Sequence, residues 1–213
     1  MSSRAEAPTK GLVAAVLVMT VAVLGLGGAI LVLKLKPAEL PTAAGDRTVE
    51  LWRRAVATSP DDDRAHVGLG LALLETGQGS QARAEFEEAL RLNSRNWVAL
   101  TQLGILQTEE DPERALDLFH DAARWAPDGD KVVPLVYEGD LLMQQGQAGA
   151  AKKAYRRATL DAPVAFDAHL GLARALEALG NEADALEEYE EAARYDPSNA
   201  EIAEAIARLA DEN

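Results

Sequence analysis

Four times along this chain an alanine is followed, four residues on, by a large aromatic side chain and, three residues after that, by another alanine. The copies are Ala82-Phe86-Ala89, Ala115-Phe119-Ala122, Ala151-Tyr155-Ala158 and Ala185-Tyr189-Ala192. Steps of four and three put all three side chains on one face of a helix. A second helical stretch and a turn precede each copy, as in Asp63–Asn96, where Gln78-Gly79-Ser80 separates the two helices. A pair this small cannot bury its apolar face alone and needs a neighbour of the same kind. The recurrence therefore makes each pair one unit of a stack.

The units fall at 63–96, 97–129, 132–165 and 166–199, preceded by a half unit over 46–62 and followed by a last helix over 200–210. Their first helices carry Leu69-Gly70, Leu103-Gly104, Glu138-Gly139 and Leu172-Ala173, and Pro127, Pro163 and Pro197 close three of them, with Ser94 in the first. This pattern resembles the tetratricopeptide repeat, whose period is about 34 residues and whose signature is an early Leu-Gly, then Ala, an aromatic, Ala and Pro. The resemblance covers nearly all of residues 46–210 and implies an all-α solenoid of antiparallel helix pairs. Trp52 and Ala55 take the aromatic and small positions of the leading half unit. Ile202, Ile206 and Leu209, with acidic neighbours, resemble the capping helix that such arrays need.

The N-terminus is of another kind. After a short polar tail, residues 1–10, no charge occurs from Gly11 to Leu33, and Lys34 and Lys36 follow at once. As a helix this stretch would be roughly 35 Å long, enough to cross a bilayer's hydrocarbon core. A transmembrane anchor is expected over 11–36 and a linker, containing Pro37 and Pro41, over 37–45. Gly25, Gly28 and Ala29 would thin one side of that helix for contact with another. The corresponding location is an inner or plasma membrane, crossed once, with the repeats outside the cytoplasm.

Composition narrows the chemistry. With no cysteine among 213 residues, disulfides, thiolate metal sites and cysteine nucleophiles are excluded. Against 35 acidic residues stand 21 basic ones, for a formal charge of −14, a surface that repels nucleic acid. Aromatic residues are only 5%, too few for a base-stacking platform. His66 and His169 occupy the same repeat position and read as packing residues facing the partner helix. They and His120 are spread over separate repeats and make no metal site. No catalytic constellation and no cofactor is expected.

Function then falls to a groove. The resemblance implies that the first helices line a concave face that binds a peptide or protein segment. Carried onto this chain, that face holds Arg64, Val67, Leu71 and Leu74; Val98, Thr101, Gln102, Ile105 and Thr108; Val133, Val136, Tyr137, Asp140 and Met143; and Asp167, Leu170, Arg174 and Glu177. The members of the family that clamp acidic C-termini use several Lys, Arg and Asn residues, whereas this face offers mainly Arg64 and Arg174, far apart. A segment with apolar anchors fits better. The expected function is a non-enzymatic, membrane-tethered scaffold that helps assemble an envelope complex. The alternative is a structural subunit whose membrane helix packs on partner helices.

The second helices carry ordered charge. Lys152, Lys153, Arg156 and Arg157 precede Glu187, Glu188, Glu190 and Glu191 one repeat later. Facing one another in the stack, they would help fix it, each exposed pair contributing at most about 1 kcal/mol. The rival reading is a basic docking patch.

Overall fold

The computed structural model describes residues 22–24, 30–32 and 44–212, and the chain divides into two units, Met1–Thr42 and Ala43–Asn213. In the first, strands β1 (Ala22–Leu24) and β2 (Ile30–Val32) pair antiparallel, with Ala22 opposite Val32, Val23 opposite Leu31 and Leu24 opposite Ile30. This corrects the expected transmembrane helix. The absence of charge does not choose between helix and strand. It does not weigh the β-branched residues Val23, Ile30 and Val32, which favour strands, or the glycines between the two arms, which disfavour helix. The rest of residues 11–36, with Gly25, Gly28 and Ala29, lies outside the described residues. No helix among the described residues is long and apolar enough to cross a membrane. The single-pass location, the membrane tether and the packed membrane subunit are corrected with it.

The second unit is all helix. Helix α1 (Ala44–Thr58) leads into α2 (Asp63–Glu75) and α3 (Gly79–Leu92), α4 (Trp97–Gln107) and α5 (Pro112–Trp125), α6 (Val132–Gln144) and α7 (Ala148–Asp161), α8 (Phe166–Ala178) and α9 (Glu182–Tyr195), and ends in α10 (Ala200–Glu212). The strongest packing is within α2–α3, α4–α5, α6–α7 and α8–α9, and each second helix then packs on the next first helix. Local chemistry sets the starts. Asp62, Asn96 and Asp111 accept from the backbone N–H of Arg64, Ala99 and Arg114 at 3.0 Å, satisfying donors that a helix start leaves open. Pro112 sits in the first turn of α5, where its missing N–H costs nothing. Gly77, Gly146 and Gly180 end three first helices at φ of 71–74°, a left-handed position that glycine adopts freely.

The recurring triad is the core. All of its alanines are 0% exposed, and Phe86, Phe119, Tyr155 and Tyr189 are no more than 3% exposed. The glycines of the first helices serve these rings. A Cβ added at Gly70 would lie 2.6 Å from Phe86, at Gly104 2.6 Å from Phe119, and at Gly139 2.6 Å from Tyr155. What fills each glycine's space is an aromatic ring. Gly68 receives Trp52 in the same way, with 2.5 Å to a virtual Cβ, which ties α1 to the array.

Candidate functional site

Four first helices present candidate side chains, and three cavities gather most of them. The best formed lies between α6 and α8. About 510 Å³ in volume, it is lined by Val133, Val136, Tyr137, Asp140, Asp167, Leu170 and Arg174 from the sequence-derived set, joined by Val132, Ala165, Phe166 and Gly171. Val133 and Tyr137, 42% and 39% exposed, are apolar side chains open to an incoming group. Tyr137 is braced from behind, its ring stacked on Phe119 at 5.7 Å.

The polar rim of this cavity is held by α7 and α10. Tyr155 on α7 donates its hydroxyl to Asp140 at 2.6 Å. Burial, and then the Asp140 carboxylate, push the Tyr155 phenol far above its ordinary range, so it remains a donor and fixes Asp140. Arg174 donates from Nε to Glu201 on α10 at 3.0 Å, with a second bond from the guanidinium tip. Asp167 stands exposed at the start of α8. With Arg174 offset by Glu201, the rim is net acidic.

A second cavity joins α8 to α10 and is lined by Arg174, Glu177, Tyr189, Glu201, Glu204 and Arg208, among others. Glu177 accepts from the Tyr189 hydroxyl at 2.9 Å and from Arg208 at 2.8 Å. Burial and this carboxylate push Tyr189 up to about 12. A third cavity, of about 340 Å³, takes Arg64, Val67 and Val98 beside Asp63, Asn93 and Trp97. Asp63 is fixed there by the amides of Asn93 and Asn96 at 2.9 and 2.7 Å. These bonds outweigh the opposing effect of burial and lower its carboxyl below the ordinary value.

The remaining candidates line none of these cavities. Leu71 is exposed, and Leu74, Gln102, Ile105, Thr108 and Met143 are half-buried. Thr101 is buried to 1% and bonds back to the Trp97 carbonyl at 2.8 Å, so its hydroxyl is already satisfied.

Two features differ from the reading of the sequence. His66 and His169 are not inert packing. Each Nδ1 meets a second-helix carboxylate, Glu85 or Glu188, at 2.7 Å, and each Nε2 meets the carbonyl of Pro60 or Pro163 at 3.0 Å. The repeated spacing His–Glu and Pro–His was the signal that could have revealed this. The expected facing of α7 bases on α9 acids is also corrected. Among the described residues no ion pair joins them; Arg157 turns to Glu138 on α6 at 3.7 Å, and Arg194 pairs with Glu191 inside α9 at 3.0 Å. The side chains reach their own pair or their own helix more readily than the next second helix.

A stack of antiparallel helix pairs, with cavities along its first helices and no group of three or more His, Asp or Glu able to hold a metal among the described residues, is an α-solenoid of the interaction-repeat class. The chain belongs to the tetratricopeptide repeat family, whose profile it matches over residues 46–97 and 138–200, more than half of its length.

Solved structures give the same fold at low identity. One is PilF of Pseudomonas aeruginosa, with a TM-score of 0.69 and 19% identity, covering 79% of this chain and 83% of that one. Another is PilW, a type IV pilus biogenesis factor, at 0.65 and 18%, covering 79% and 82%. YrrB, a TPR protein with an unusual peptide-binding site, scores 0.64 at 20% identity, covering 77% and 84%. In sequence, 74 residues are 31% identical to anaphase-promoting complex subunit 3 of Schizosaccharomyces pombe, covering 34% of this chain. The chain spans 11% of that relative's length.

Proposed function

We propose that this chain is a non-enzymatic scaffold that holds a protein or peptide segment against its first helices, with the α6–α8 cavity as the principal anchor site. The observation that carries this is the meeting of Val133, Tyr137, Asp140, Asp167 and Arg174 around one opening of about 510 Å³. Such a volume suits one or two side chains of an extended or helical ligand. Exposed apolar groups supply the anchoring area, and the acidic rim selects a segment with an apolar anchor flanked by Lys or Arg. The peptide-binding site of YrrB supports a peptide as the kind of ligand this fold can take.

The test uses peptides selected on the full chain from a phage-displayed random library. Enrichment of sequences that pair an aromatic or aliphatic residue with Lys or Arg is expected. Their binding should weaken about tenfold or more in Val133→Asp or Asp167→Lys, the loss typical of an anchor residue. Selected peptides that bind both variants as well as wild type rule the site out.

A further inference from the structure

The outward face of α7 differs in charge from that of its sister helices. At the positions of Arg157 and Leu160, α3 has Glu88 and Arg91, and α9 has Glu191 and Arg194. In those two helices the residues pair with one another, at 2.6 and 3.0 Å, so the outer face neutralises itself. Helix α7 cannot do this. Arg157 is drawn to Glu138, and the fourth position is not an arginine but Leu160, 77% exposed.

The surrounding charges remain open. The side chains of Lys152, Lys153 and Arg156 make no hydrogen bond or ion pair among the described residues. The carboxylate within reach in sequence, Asp161, is engaged elsewhere, accepting from the backbone N–H of Gly129 and Val132 at 3.1 Å. Lys153, Arg156 and Leu160 follow at three and four residues and so adjoin on one helix face. Val164, 69% exposed, continues the same end. On a chain of formal charge −14, three unneutralised cations beside the most exposed large apolar side chains of the array make a local, oppositely charged surface.

We infer that the outer face of α7, a second helix rather than one of the cavity-lining first helices, is a second docking surface, and that it takes an acidic protein segment bearing an apolar side chain. Charge complementarity selects the occupant. Lys152, Lys153 and Arg156 attract carboxylates and steer them, and Leu160 with Val164 supplies apolar area that a free ion or polyanion would leave wet.

The probe is a fluorescein-labelled helical peptide of about 15 residues, the shortest that holds a helix in water, with Glu and Leu at i, i+3 and i+4 spacing. Anisotropy is read on the full chain. Wild type is expected to bind it, and the same peptide with Lys for Glu is not. Lys153→Glu with Arg156→Glu should weaken binding about tenfold, equivalent to about 1.4 kcal/mol, without lowering the melting temperature, because exposed unpaired charges contribute little to stability. Leu160→Ser should weaken it less, and Val133→Asp, in the cavity, not at all.

The inference is overturned by no binding by wild type, binding unchanged in the double variant, a lowered melting temperature that places these charges inside the array, or tighter binding to phosphatidylserine vesicles than to the peptide. Dimerisation that the double variant abolishes does so too, by making the occupant a second copy of the chain.

Discussion

His66 Nδ1 lies 2.7 Å from Glu85 Oε2, and the relationship recurs between His169 and Glu188 at the same distance. The other ring nitrogen meets a proline carbonyl at 3.0 Å in both cases. A carboxylate and a carbonyl only accept hydrogen bonds, so the ring satisfies both only when it carries two protons. Each histidine thus clasps the exit of one unit to both helices of the next, and His66 does so best as a cation.

Stability should therefore fall as pH rises above the ordinary histidine value of 6.5. Burial alone would lower the His66 value; the Glu85 and Pro60 acceptors outweigh it and raise it above 6.5. A raised folded value means the contribution is complete below the unfolded value and is lost as pH rises through the folded one. Urea unfolding of wild type between pH 6 and pH 9 should show this loss, and His66→Gln should flatten it. Glu85→Ala, which strips the buried ring of its partner, should cost about 1–3 kcal/mol at pH 6. A wild-type profile parallel to that of His66→Gln would sink the clasp.

Glu138 should be a destabilising residue. Leu69, Leu103 and Leu172 occupy its position in the other units and are 3–4% exposed. Burial pushes the Glu138 carboxyl above its ordinary value despite the nearby Arg157, and its Oε2 accepts no hydrogen bond. Glu138→Leu should raise stability at pH 7 by about 1 kcal/mol, since apolar replacement of a poorly paired buried charge is commonly stabilising. Arg157, already half-exposed, loses little. Because the folded value is raised, wild type should close the gap as pH falls through it toward 4.5. Thermal melts of both proteins at pH 7 and pH 4.5 decide the matter; a lower melting temperature for the leucine variant refutes it.

These two sites show what the sequence made legible. Periodicity located Phe86, Phe119, Tyr155 and Tyr189 because burial on a helix face depends only on spacing, and those rings are buried. The family resemblance placed Val133, Tyr137 and Asp167 in the groove set, on helices that meet at one cavity, and put Thr101 in the same set although it is buried. One residue on a helix is a rotation of about 100°, which a family pattern does not resolve. Pairing was less legible still. Whether Arg157 meets Glu138 or the α9 acids depends on reach and rotamer, not on sequence order. At the N-terminus hydropathy favoured one long helix where β1 and β2 pair, because lack of charge is common to both.

The first-helix glycines should tolerate nothing larger. Gly104→Ala would put a methyl 2.6 Å from the Phe119 ring, which is 0% exposed and cannot withdraw. Overpacking of this kind costs about 1–3 kcal/mol. Gly149, within α7, has nothing within 4 Å of a virtual Cβ, so Gly149→Ala should stabilise by about 0.5–1 kcal/mol through helix propensity. Equal effects of the two substitutions in denaturant melts would show that the ring contact carries no weight.

Helix α6 is capped from outside its own strand of sequence. Its N-cap residue Lys131 makes no capping bond through its side chain to the backbone. The first donor of the helix, the Val132 N–H, is met instead by Asp161 at the end of α7, whose other oxygen accepts from Gly129 in the preceding turn, each at 3.1 Å. A negative charge there also opposes the positive end of the helix dipole. Asp161→Ala should cost about 1–2 kcal/mol, the range for losing a cap, and Asp161→Asn, which keeps an acceptor, should cost less. The loss should be local to the α6–α7 pair, so hydrogen exchange at Val132 and Val133 should quicken before exchange in α2 or α3 changes. Uniform acceleration across the array, or none at the start of α6, would show that Asp161 does not cap this helix.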